Sequence, residues 1–130
     1  MNQEFAIILE DIQNKDPRYK EDSYLLVMES LSYVQRRSKT PKHVTGEEIL
    51  QGVRSILLHR YGPFAITVLK HWGINSTEDF GNVVFNLVEN KVLSKTEDDD
   101  ISKFRNFYDF EEVFNQGYRK QLLKKISRMR

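Results

Sequence analysis

Catalysis in a short chain needs a nucleophile, an acid–base pair or a bound cofactor, and each leaves a spacing in the sequence. The histidines are His43, His59 and His71. No two stand four residues apart, as on a metal-binding helix face, and no HExxH occurs. His71 adjoins Trp72 at the end of an apolar stretch, where a histidine caps carbonyls more readily than it catalyses. The acid run Glu97, Asp98, Asp99 and Asp100 lacks the spaced ligands, central glycine and distal glutamate of a calcium loop. GxxxxGK[ST], GxGxxG and GxSxG are absent, and with them the known phosphate cradles and nucleophile elbow. The chain has no cysteine, hence no disulfide framework, thiolate-ligated metal or cysteine nucleophile. The expectation is a non-enzyme with no catalytic, cofactor-binding or metal residues. An enzyme of unrecognised type stays open. It would need a deep pocket of convergent polar groups, with His59 or His71 among them.

Charge gives a stronger signal. Lys and Arg total 20 and Asp and Glu 19, for a net +1, but the signs are segregated. Residues 119–130 hold Arg119, Lys120, Lys124, Lys125, Arg128 and Arg130 and no acid, so residues 1–118 carry −5. Leu122, Leu123, Ile126 and Met129 stand between these bases at helical spacing, so the tail reads as a basic amphipathic helix. Such a helix suits nucleic acid, an anionic surface or an acidic partner. The alternative is that Leu122, Leu123 and Ile126 pack on the body and the bases meet its acids. Arg36, Arg37 and Lys42, with Lys39 and His43, form a second basic cluster that reads as solvated surface.

The elements that position these residues are mostly helices. The length of 130 residues fits one domain. The five-residue apolar run Phe5–Leu9, flanked by Glu4, Glu10 and Asp11, is neither a secretory signal nor a membrane span, so a cytoplasmic protein is expected. Ile7, Ile8 and Ile12 mark a first helix, stopped near Pro17. Tyr24, Leu25, Met28, Leu31 and Val34 mark a second that ends in Arg36-Arg37. Thr45-Gly46-Glu47-Glu48 has the form of a capping box and opens a third, which runs to about Tyr61. Gly62-Pro63 introduces a short helix, apolar nearly all round and so expected inside, with Gly73 as its cap. Ser76 to Asp79 opens a fifth helix whose inner face holds Phe80, Val83, Val84, Leu87 and Val88. Val92–Lys95 and the alternating Phe107–Phe110 read as two antiparallel strands around an acidic loop, and 111–127 as a last helix weakened by Gly117. The aromatics near the second strand alternate with Asp109, Glu111 and Glu112, which suits packing better than base stacking.

The fold expected is therefore mainly α: five to six helices with one small antiparallel β-hairpin, in winged-helix-like order. Residues 1–118 form a single compact domain and 119–130 a basic C-terminal helical extension. A winged-helix protein lays its recognition helix in DNA, but the fifth helix opens with Glu78 and Asp79 and the expected wing carries four carboxylates. Phosphates repel both, and DNA affinity comes largely from Lys and Arg.

The strings HVTGEEILQGVR (43–54), YGPFAITVLKHWGINSTEDFGNVVFNLVENKVLSK (61–95) and FYDFEEVF (107–114) resemble a family of small bacterial proteins of unknown function, across roughly residues 3–118. That resemblance implies a small cytoplasmic domain and no assigned activity, so it carries over no functional residue. The leading functional expectation is a non-enzymatic module that binds a protein partner or forms a homodimer. The alternative is a nucleic-acid-binding regulator using Arg36, Arg37, Lys42, Arg119, Lys120, Lys124, Lys125 and Arg128. No membrane contact and no cofactor are expected.

Overall fold

The computed structural model describes residues 3–38, 43–94 and 100–129. Its first helix, α1 (Gln3–Lys15), buries Leu9 and Ile12. Pro17 cannot continue a helix, and the Asp16 carboxylate organises the turn by accepting from the Arg18 guanidinium at 2.8 Å. Two longer helices, α2 (Glu21–Arg37) and α3 (Gly46–Tyr61), then run antiparallel, with Glu29 paired to Arg60 and Val34 over Gly52. They approach closely because position 52 has no side chain. A Cβ there would lie 2.2 Å from the Ser30 hydroxyl, which is buried and donates to the Ile49 carbonyl at 2.7 Å. The capping box is present: Thr45 Oγ1 accepts from the Glu48 amide and the Glu48 carboxylate from the Thr45 amide, both at 3.1 Å.

A 3-10 turn, Gly62–Phe64, leads into the short α4 (Ala65–His71). The expectation of a wholly internal helix is corrected here. Ala65, Leu69 and Trp72 are buried, but Phe64 is 68% exposed and Thr67, Lys70 and His71 face solvent. Those three polar residues stand three and four apart, the spacing of an outer face. Gly73 caps α4 at φ +87°, and the Ile74 amide returns to the Leu69 carbonyl at 2.8 Å. The Lys20 amide donates to the Trp72 carbonyl at 3.0 Å, which fastens the α1–α2 turn to this cap.

The next helix, α5 (Thr77–Glu89), buries Phe80, Val83 and Leu87. Asp79, Asn82 and Asn86 stand at helical spacing on its flank and hold the α1–α2 turn. The Tyr19 hydroxyl donates to Asp79 at 2.7 Å and accepts from Asn82 at 2.9 Å, while Asn86 donates to Asp16 and to the Tyr24 hydroxyl, each at 2.9 Å.

The β-hairpin is not found. No strand occurs among the described residues, which are mainly helical, and the winged-helix-like order falls with the wing. Lys95 and the acids 97–99 lie outside the described residues. Val92 and Leu93 do not extend. Lys91 takes φ +61° and both following amides bond back to the Leu87 carbonyl, so this apolar pair folds onto the end of α5. The aromatic alternation at 107–110 serves a different geometry. Phe110 packs on Phe80, Tyr108 and Phe114, with ring centroids 5.5–6.3 Å apart. Asp109 caps the next helical turn by accepting from the Glu112 amide at 3.0 Å.

Between these segments a 3-10 turn, Ile101–Phe104, inserts Phe104 between α3 and α5. Gly46 and Gly81 make the space: a Cβ on either would come within 2.6 or 2.8 Å of Phe104. Thr77 Oγ1, buried, donates to the Phe104 carbonyl at 2.5 Å and accepts from the Phe107 amide at 3.2 Å. The chain ends in a continuous rod, a π-helical stretch Glu111–Gln116 running into α6 (Gly117–Arg128). Gly117 is helical, at φ −62° and ψ −44°, so it does not bend the rod.

Candidate interaction surface

Val113 and Phe114 anchor the start of the rod in the core. The Tyr108 hydroxyl, between Phe114 and α3, donates to the Leu50 carbonyl at 2.7 Å, and burial pushes its pKa well above the ordinary tyrosine range. Beyond Tyr118 the rod leaves the body. Every residue from Arg119 to Met129 is exposed, and α6 buries no side chain. Leu122 is 42% exposed, Leu123 54%, Ile126 48% and Met129 80%. On a helix advancing 100° per residue these four fall in one sector, which Arg119 shares at the start of the helix; Lys120 and Lys125 border it, and Lys124 and Arg128 lie opposite. The Leu122, Leu123 and Ile126 side chains therefore do not pack on the body, and no described acid pairs with the α6 bases.

The remaining basic residues lie elsewhere. Arg36 and Arg37 are exposed at the C-terminal end of α2. The Arg37 guanidinium donates to the Tyr33 hydroxyl at 2.8 Å and stands 5.3 Å from that ring's centroid, so it serves its own helix. Lys42 lies outside the described residues. Arg37 borders a groove of about 630 Å³ between α2 and α3, whose far wall is Glu47, Glu48 and Gln51. Tyr118 and Gln121 of α6 instead meet the last turns of α3, at Ser55, Leu58 and His59. The two recesses adjoin along α3, since Ser55 lines both. Glu47 and Glu48 face Arg37 at the N-terminal end of α3, whereas α6 stands against its C-terminal half, beside Arg54.

The histidines do not converge. His43, His59 and His71 are all exposed, on three different parts of the chain. His43 borders a cleft of about 280 Å³ lined mainly by aliphatic side chains, and His59 borders the recess at the foot of α6. Among the described residues no group of three metal-ligating side chains comes together. No buried side-chain nitrogen or oxygen among them lacks a hydrogen-bond partner. The polar network around α5 is satisfied within itself. Arg18 holds the Asp16 carboxyl well below the usual range, and burial with the Asp79 contact pushes Tyr19 up to about 12. No helix among the described residues is long and apolar enough to cross a membrane.

Two features escaped the sequence reading. Ile7 and Leu25, expected on inner faces, are 58% and 37% exposed and stand opposite the buried stripes of α1 and α2. Each is ringed by acids one helical turn away: Glu4, Glu10 and Asp11 around Ile7, and Glu21, Asp22 and Glu29 around Leu25. That spacing was the available signal, because a core position is rarely bracketed by carboxylates. Comparison with protein-family models, curated proteins and solved structures found no match.

Proposed function

We propose that this chain is a non-enzymatic interaction module whose docking element is α6, and that its partner is a protein surface with an apolar centre and an acidic rim. The observation that carries this reading is the exposure of α6 all round, with four unpartnered apolar side chains on one face, Lys120 and Lys125 at its borders and Lys124 and Arg128 opposite. Exposed apolar side chains at helical spacing are the anchors by which an amphipathic helix enters an apolar groove. Neutralising phosphate requires no such stripe. The net −5 of residues 1–118 also opposes approach to a polyanion or an anionic lipid surface. We assign the module to the cytoplasm, in keeping with a cysteine-free sequence.

The test is a photo-crosslinking amino acid placed at position 123 of the full chain, irradiated in an extract of the native host. A nuclease-resistant protein adduct, diminished by Ile126→Asp, is expected. Adducts removed by nuclease, adducts with lipid alone, or no adduct would overturn the reading.

A further inference from the structure

We infer that the surface α6 recognises belongs to a second copy of this chain: the acidic outer face of α1 and α2 around Ile7 and Leu25. This rests on α6 being the docking element. Three observations lead to it.

First, the molecule carries both halves of a complement and does not join them. The bases of α6 have no described acidic partner, and Glu4, Glu10, Asp11, Glu21 and Asp22 have no described basic one. Second, the rod keeps the halves apart within one chain. Helix is continuous from Glu111 to Arg128 and every residue from Arg119 to Met129 is exposed, so α6 projects from its own body. Only another molecule can bring an α1–α2 face to it. Third, the chemistry is complementary. Ile7 and Leu25 are isolated apolar side chains inside rings of carboxylate, and α6 presents an apolar stripe flanked by ammonium and guanidinium groups. In the contact the stripe covers Ile7 and Leu25 while Lys120 and Lys125 at its two borders, with Arg119 at its start, meet the acids. A copy whose α6 is engaged still offers its own acidic face, so two copies can exchange helices reciprocally and close a symmetric dimer.

Charge reversal in the full-length protein tests this, read by sedimentation velocity. Glu10, Asp11, Lys120 and Lys125 are exposed, so reversing them leaves the core untouched. The wild type is expected to self-associate, with affinity weakening at least about tenfold from ~0.05 M to ~0.5 M salt. Glu10→Lys with Asp11→Lys, and separately Lys120→Glu with Lys125→Glu, should each weaken association by about tenfold or more. Mixing the two variants should restore it, because each reversed surface then meets its reversed complement. A wild type that stays monomeric at every concentration, or a mixture no tighter than its components, overturns the inference. The two proposals fail separately. If α6 crosslinks only to a different acidic protein, the interaction reading stands and the second copy is excluded; if it crosslinks to nothing, both fall.

Discussion

Replacing Gly52 with alanine tests the packing on which the fold depends. A Cβ at this position would fall 2.2 Å from the Ser30 hydroxyl and 3.2 Å from a Val34 methyl. Ser30 is fully buried, and its hydroxyl is already committed to the Ile49 carbonyl. The helices must separate or the hydroxyl must turn away. Overpacking costs about 1–3 kcal/mol, and the lost hydrogen bond about 1 kcal/mol. Alanine returns about 1 kcal/mol in helix propensity. The net expectation for Gly52→Ala is a loss of about 1–3 kcal/mol. Ser30→Ala alone should cost about 1 kcal/mol. In the double variant the clashing oxygen is gone and the new methyl meets the position 30 Cβ at 3.4 Å, a tolerable contact. Adding Ser30→Ala to Gly52→Ala should therefore raise stability, reversing the sign it has in the wild type. Urea unfolding followed by far-UV circular dichroism on the four proteins of the cycle gives the coupling. If Ser30→Ala lowers stability as much in the Gly52→Ala background as in the wild type, the close α2–α3 contact is refuted.

Two other outcomes follow from the same geometry. Gly117→Ala should stabilise by about 1 kcal/mol, because φ is helical and the nearest atom to a new Cβ is 3.5 Å away; thermal melting checks this. The Asp16 carboxyl titrates below its ordinary value, held there by Arg18 and Asn86. Its contribution to stability is present above the unfolded carboxyl value near 4 and is lost as pH falls through the folded value. Acid unfolding of Asp16→Asn should accordingly depend less on pH below about 4 than that of the wild type.

Several helix ends are written in local chemistry. The Thr45–Glu48 capping box, Gly73 as the cap of α4 and the stop at Pro17 depend on residues within one turn of each other, so they could be read without a fold. The basic amphipathic character of residues 119–130 was legible for the same reason. Lys91 misled: its left-handed conformation folds Val92-Leu93 onto α5, whereas the residue types alone suggested a strand. A local signal stands against the second strand, since Asp109 followed by Glu112 is an N-terminal helix signature.

Tertiary structure alone decided which apolar side chains are buried and where the cations stand. Gly46 and Gly81 lie 35 positions apart, and only the fold shows both opening space for one ring, Phe104. Whether Ile7, Leu25 and the Leu122–Met129 stripe face inward depends on which helices lie beside them, and periodicity reports a face without naming its neighbour. Likewise Arg37 and α6 are both basic in sequence, and only the fold shows that Arg37 faces Glu47 and Glu48 while α6 stands beside Arg54, Leu58 and His59.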